Sequence, residues 1–164
     1  GFGESSDAHH PTAPHPQGRG AAQAVTAALA DAGLDPEDPD AIDHVNAHGT
    51  GTPSGDAAEL AALDAVFGAH ARRIPLTATK SSTGHLLGAS GAVEAVLAIQ
   101  TLCTGRIPPT INLDDPEFGD WDIVRGAARD GGGIRRILSP SFGFGGHNGA
   151  VVFASPVDRT QEAR

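Results

Sequence analysis

The sequence predicts an α/β fold in which helices cover one sheet, and three observations carry the prediction. Stretches with helical periodicity alternate along the chain with short apolar runs of strand character. Three polar, glycine-rich segments, at 48–55, 80–85 and 141–149, each follow one of those strands, where such folds place their chemistry. The 164 residues, 39% of them apolar, suffice for one domain with a real core. That core must be mostly Ala, Val, Leu and Ile, because the chain has six Phe, one Trp and neither Tyr nor Met.

Taken in order, residues 1–19 read as irregular loop, given their prolines, glycines and histidines. From Gly20 to Ala32, Val25 and Leu29 share a face among alanines; Gly33 is suited to end that helix. Asp35 to Asp40 is an acidic turn, and Ile42 to Asn46 alternates as a strand does. Asp56 to Phe67 is a predicted helix with Asp56 as N-cap, Glu59 three residues on, and Leu60, Leu63 and Phe67 sharing a face. Ile74 to Thr79 is a short strand and Lys80 to His85 a polar loop. The longest helix runs from Ala89 to Thr104, its early glycine and alanines suggesting close packing against another helix. Pro108 and Pro109 keep 107–113 extended. Residues 114–130 are loop-like, with a short strand at Trp121 to Val124. Ile134 to Pro140 and Ala150 to Ala154 are strands, separated by a glycine-rich loop at Ser141 to Gly149. The domain spans 1–154, and 155–164 form a polar tail.

Composition excludes several functions. A net charge of −9 without any block of Lys or Arg argues against nucleic acid as a partner. A single Cys excludes an internal disulfide or a cysteine-based zinc site. No apolar run approaches the ~18–20 residues of a membrane span, so no membrane partner is expected. The expected setting is soluble, reducing and cytoplasmic. A chain with no Met, starting at Gly1, is expected to be a piece of something longer. The glycine run at 143–148 is no dinucleotide fingerprint, since a strand follows it. Neither a P-loop nor a Gly-x-Ser-x-Gly elbow is present, and His9, His10 and His15 lack the carboxylate-ordered helix of a metal site. No transition metal is expected.

What remains is a coincidence. His48, Lys80 and His85 and the glycine-rich segment around Phe144 all follow strands of one sheet. Neutral imidazoles and glycine-loop amides are hydrogen-bond donors able to converge on a carbonyl oxygen.

Four segments then resemble the β-ketoacyl synthase family of the thiolase fold: 45–56 (VNAHGTGTPSGD), 79–94 (TKSSTGHLLGASGAVE), 107–113 (IPPTINL) and 141–148 (SFGFGGHN). The match runs from about Gly1 to Phe153. It implies the C-terminal repeat of the thiolase-like fold, a five-stranded mixed sheet with helices on its faces. It implies a decarboxylative Claisen condensation of malonyl-acyl carrier protein with an acyl chain held on a cysteine, in fatty-acid or polyketide synthesis. By this resemblance His48 and His85 donate to the malonyl thioester oxygen, Lys80 keeps them neutral, and Phe144 is the gatekeeper whose amide serves the acyl thioester. Thr50 and Thr52 would hold the phosphopantetheine arm of the acyl carrier protein. Asn46, Glu94, Ser139 and the carbonyl at 140 would form a structural carboxylate or monovalent-cation site; no other cofactor is implied. Pro140 departs from the family, which usually has Asn there.

The nucleophile belongs to the family's N-terminal half, absent from this chain, and Cys103 resembles no nucleophile motif; the chain alone is therefore expected to be inactive. The implied partners are that N-terminal half, the acyl carrier protein, and a second copy in a homodimer. Arg72 and Arg73 are candidates for meeting the acidic carrier protein. A catalytically silent partner subunit of the chain-length-factor type, or an inactive fragment, remains an alternative.

Overall fold

The computed structural model describes residues 1–156, so the predicted tail lies outside the described residues from position 157 onward. The chain runs β1 (Phe2–Ser6), α1 (Arg19–Asp31), β2 (His44–Asn46), α2 (Pro53–Phe67), β3 (Leu76–Thr77), α3 (Lys80–Thr83), α4 (Ser90–Thr104), β4 (Arg106–Ile107), β5 (Arg129–Asp130), β6 (Arg136–Gly143) and β7 (His147–Ala154). Five strands form one sheet in the order β1-β7-β6-β2-β3. β6, β2 and β3 are parallel, whereas β7 is antiparallel to both β6 and β1. This is the mixed five-stranded sheet the sequence predicts; β4 and β5 add a small antiparallel ribbon.

Side chains alternate across the sheet. On one face Val45, Leu138 and Val152 pack against Val25 and Leu29 of α1 and Leu60, Leu63 and Phe67 of α2. On the other, Ile137 and Phe153 meet Ala98 and Leu102 of α4, together with Ile107, Val124 and Ile134. α1 ends as predicted: the amides of Gly33 and Leu34 donate to the carbonyls of Ala30 and Leu29 at 3.0 and 2.9 Å, with Gly33 at φ +68.

Several expectations are corrected. Residues 1–19 are not all loop: Phe2–Ser6 is an edge strand paired with 147–151. It carries little strand signal because its inward side is almost bare, and a Cβ on Gly3 would lie 2.1 Å from the Ala24 carbonyl oxygen of α1. α2 begins at Pro53, with Thr52 as N-cap, so Asp56 lies in the first turn rather than capping it. Proline's fixed φ suits the first helical position, which is why the helix starts three residues early. Lys80–Thr83 is a helical turn rather than a loop. The predicted loop at 141–149 is largely strand, with only Phe144–Gly146 forming a tight turn between β6 and β7.

Among the described residues, α4 packs on the sheet mainly through β6. Its outer side leaves Val96 57% and Ile99 44% exposed. The absence of any apolar run near membrane-span length is also corrected, since Leu87–Thr104 has the length and composition to pass as one. Its buried, ion-paired Glu94 and its packing on β6 assign it to the protein.

Pro140 sits inside β6, where a proline is normally disfavoured. The Arg136 carbonyl accepts from Asp43 on the β2 side of the strand, and every second residue repeats that direction. Pro140 therefore turns its missing N–H toward β2, whose pairing with β6 stops at Val45 and Leu138. No ladder donor is needed there.

Candidate active site

Parallel strands β2 and β3 end side by side, and the chain leaves each at the same edge of the sheet. β2 delivers Asn46 and then His48; β3 delivers Lys80 at the start of α3, followed by His85. The two turns approach closely because residue 49 is glycine: at φ +39, a Cβ there would lie 2.6 Å from that of Ala78. The structure thus brings His48, Lys80 and His85 together as the sequence predicts. The two imidazoles lie edge to face, 5.5 Å between centroids, and the Lys80 Nζ is 3.2 Å from His48 Nδ1. With Gly49, Thr50 and Glu59, Lys80 and His85 line a cleft of about 620 Å³.

The hydrogen bonds fix the tautomers. An ammonium only donates, so His48 Nδ1 is an acceptor and the ring proton lies on Nε2. The Leu87 amide likewise donates to His85 Nδ1 at 3.2 Å, leaving the His85 proton on Nε2 as well. Burial, reinforced by Lys80 and then His85, lowers the His48 pKa to about 3, so the ring is neutral near pH 7. Both histidines therefore offer an Nε2–H donor.

Behind them Lys80 and Glu94 form a buried ion pair. Burial pushes the Glu94 carboxyl upward, against the pull of the Lys80 ammonium. The Asn46 side chain donates to the Glu94 carbonyl at 3.3 Å and accepts from Thr79 Oγ1 at 3.1 Å. Ser139 is buried in β6. Glu94 Oε2 is buried with no partner among the described residues, an acceptor that fits a hard cation or an ordered water.

Of the remaining predicted residues, Thr50 lines the cleft. Thr50 and Thr52 face each other, their hydroxyls 3.0 Å apart. Phe144, on the β6–β7 turn, is 77% exposed, while the ring that meets His48 is Phe142, at 5.6 Å between centroids. Cys103, in the last turn of α4, is exposed. Arg72 is less available than its charge suggests: Asp64 and Asp120 bind it at 2.7 and 2.8 Å, and it lies over Trp121. Arg73 is exposed.

Three contributors were not legible as such. Glu59, read as a helix-start residue, is buried and receives the His48 and Gly49 amides, each at 2.8 Å. Burial raises its pKa to about 7 despite those bonds. Phe142 and Ser90 carried no signal beyond lying inside the quoted segments. Buried His44 has no hydrogen-bond partner for either ring nitrogen among the described residues, and burial lowers its pKa to about 4.

The mixed sheet, with two imidazole donors backed by a buried ammonium–carboxylate pair at one edge, defines the class of the thiolase-like fold. The chain belongs to the β-ketoacyl synthase family: "Beta-ketoacyl synthase, C-terminal domain" matches residues 1–114. It is 46% identical over 155 residues to the 3-oxoacyl-acyl-carrier-protein synthase 2 of Vibrio cholerae, covering 93% of this chain and 37% of that protein. The protein of the same name in Coxiella burnetii is 44% identical over 159 residues, covering 96% and 37%. Among solved structures it resembles a type II polyketide ketosynthase in complex with its acyl-carrier protein (TM-score 0.88, 30% identity, 94% of this chain and 37% of that one). It also resembles the ishigamide ketosynthase/chain length factor (TM-score 0.85, 36% identity, 94% and 37%). The chain thus spans little more than a third of the length of these relatives.

Proposed function

We propose that this chain supplies the decarboxylation half of a β-ketoacyl-acyl carrier protein synthase site. The nucleophilic cysteine would come from the part of the relatives' length that this chain does not span. One observation carries the reading: His48 and His85 lie side by side with their protons on Nε2, His48 backed by Lys80. A malonyl thioester oxygen accepting from both rings gains two donors in a partly buried site. As the bond to the carboxylate breaks, CO2 leaves and the bond's electron pair moves into the enolate, whose oxygen the imidazoles hold. The carbanion carbon then attacks the acyl thioester, and the cysteine thiolate leaves. Because His48 stays neutral, it contributes as a donor and does not quench the carbanion with a proton.

Thr50, which lines the cleft, and Thr52, in contact with it, suit the amides of a phosphopantetheine arm, so the delivering partner is an acyl carrier protein. Arg73 is better placed than Arg72 to meet its acidic surface. Asn46, Glu94 and Ser139 would hold a monovalent cation or water that braces the loops. A homodimer of the complete enzyme is part of the same proposal. A silent chain-length-factor-like subunit would have no use for the histidine–lysine set.

The test is malonyl-acyl carrier protein decarboxylation by the full-length enzyme. His48→Ala or His85→Ala should abolish it while leaving acylation of the cysteine partly intact. Decarboxylation at the unaltered rate in both variants would refute the reading.

A further inference from the structure

The His85 imidazole meets a hydroxyl that the proposed chemistry does not itself require. Ser90 opens α4 and is 5% exposed. Its Oγ lies 2.9 Å from His85 Nδ1 and receives the Leu86 amide at 2.8 Å. The roles within this ring of contacts are forced. The Leu87 amide donates to the same Nδ1, so that nitrogen carries no proton and the contact with Ser90 needs the hydroxyl's hydrogen. The Leu86 amide occupies one of the hydroxyl's two lone pairs, and its single hydrogen goes to the unprotonated ring nitrogen.

The backbone conformation that completes the ring is unfavourable. Leu87 has φ +52, in the left-handed region that side chains other than glycine rarely adopt. That turn aims its amide back at His85 at only 3.2 Å, and Leu87 itself is 76% exposed, so little packing holds it. The shorter contact, from a buried hydroxyl anchored on a helix, is the more secure of the two donors.

We propose that Ser90 is a positioning residue for His85: its hydroxyl donates to Nδ1, holding the imidazole in the Nε2–H form and orientation needed to bind the thioester oxygen. The inference rests on the condensing-enzyme reading and deepens it. It makes the two histidines asymmetric: a buried ammonium sets the tautomer of His48, whereas a backbone amide and a neutral hydroxyl together hold that of His85. Losing the hydroxyl leaves one strained amide to hold the ring, so the Nδ1–H form and other ring orientations become populated.

The experiment uses the full-length enzyme with Ser90→Ala and Ser90→Thr. In Ser90→Ala, kcat for malonyl decarboxylation should fall about 3- to 10-fold, the scale of one neutral hydrogen bond, with KM unchanged. Ser90→Thr should restore it. Nitrogen-15 NMR of histidine-labelled enzyme should show His85 as the Nε2–H tautomer in the unaltered protein and mixed in Ser90→Ala. An unchanged tautomer signature in Ser90→Ala, or an unchanged kcat, would overturn the role of Ser90. Failure of the unaltered enzyme to decarboxylate would instead overturn the condensing reading, and the NMR comparison, which needs no turnover, separates the two.

Discussion

Replacing Glu59 with Gln probes how the fold holds the His48 turn. The carboxylate is buried and accepts two backbone amides, those of His48 and Gly49, each at 2.8 Å. Gln keeps one acceptor oxygen and presents an NH2 group to the other amide, so one charge-assisted bond is lost. Above about pH 7, where the group is ionised, such a bond contributes about 1.5–3 kcal/mol, which corresponds to roughly 10- to 100-fold in the opening equilibrium of the turn. Hydrogen exchange of the 46–52 segment in the full-length enzyme should accelerate by that factor. Decarboxylation should fall with it, because His48 loses its placement.

The same substitution changes the pH dependence of stability. The Glu59 pKa rises from 4.5 to about 7, through burial, with Asp56 adding to the rise and Lys80 and the two amides opposing it. The folded state therefore holds this proton more tightly than the unfolded chain. The stabilisation is fully present below about pH 4.5 and is lost as pH rises through about 7, a swing of about 3 kcal/mol. Glu59→Gln has no proton to lose. Its denaturation midpoint should lack the component that falls between about pH 4.5 and 7. Equal exchange rates in the 46–52 segment, together with parallel pH profiles of the two proteins, would refute the argument.

Two further outcomes follow from the buried charges. Lys80→Met leaves the Glu94 carboxylate buried without its cation and should destabilise the enzyme by about 3–5 kcal/mol in chemical denaturation, with Lys80→Met/Glu94→Met recovering most of the loss. His44→Phe should flatten the acid limb of stability. With the His44 pKa lowered from 6.5 to about 4, its contribution is complete above about pH 6.5 and is lost as pH falls toward 4, about 3 kcal/mol in all, which thermal midpoints across that range would register.

The site was more legible than the fold around it. His48, Lys80 and His85 lie in short segments of distinctive chemistry, and each follows a strand of the same sheet, so sequence order alone puts them at one edge. Element boundaries were harder. β1 is a strand because β7 offers it an edge and α1 covers it, and neither fact leaves a period-two apolar pattern in Phe-Gly-Glu-Ser-Ser. The 141–149 segment looks like loop because of its glycines, yet pairing of 141–143 with 147–149 extends the hairpin through most of it.

By itself, the sequence determined the α/β plan, the elements that cover the sheet, and the three side chains that meet at its edge, because periodicity, turn residues and motif spacing are local properties. Tertiary structure alone decided that Glu59 carries the His48 turn, that Lys80 is shared between Glu94 and His48, that Arg72 is consumed by two aspartates, and that Ser90 reaches His85. Each depends on distances between segments 5 to 48 residues apart. A carboxylate, an ammonium or a hydroxyl has no fixed meaning until the fold chooses which groups replace its water.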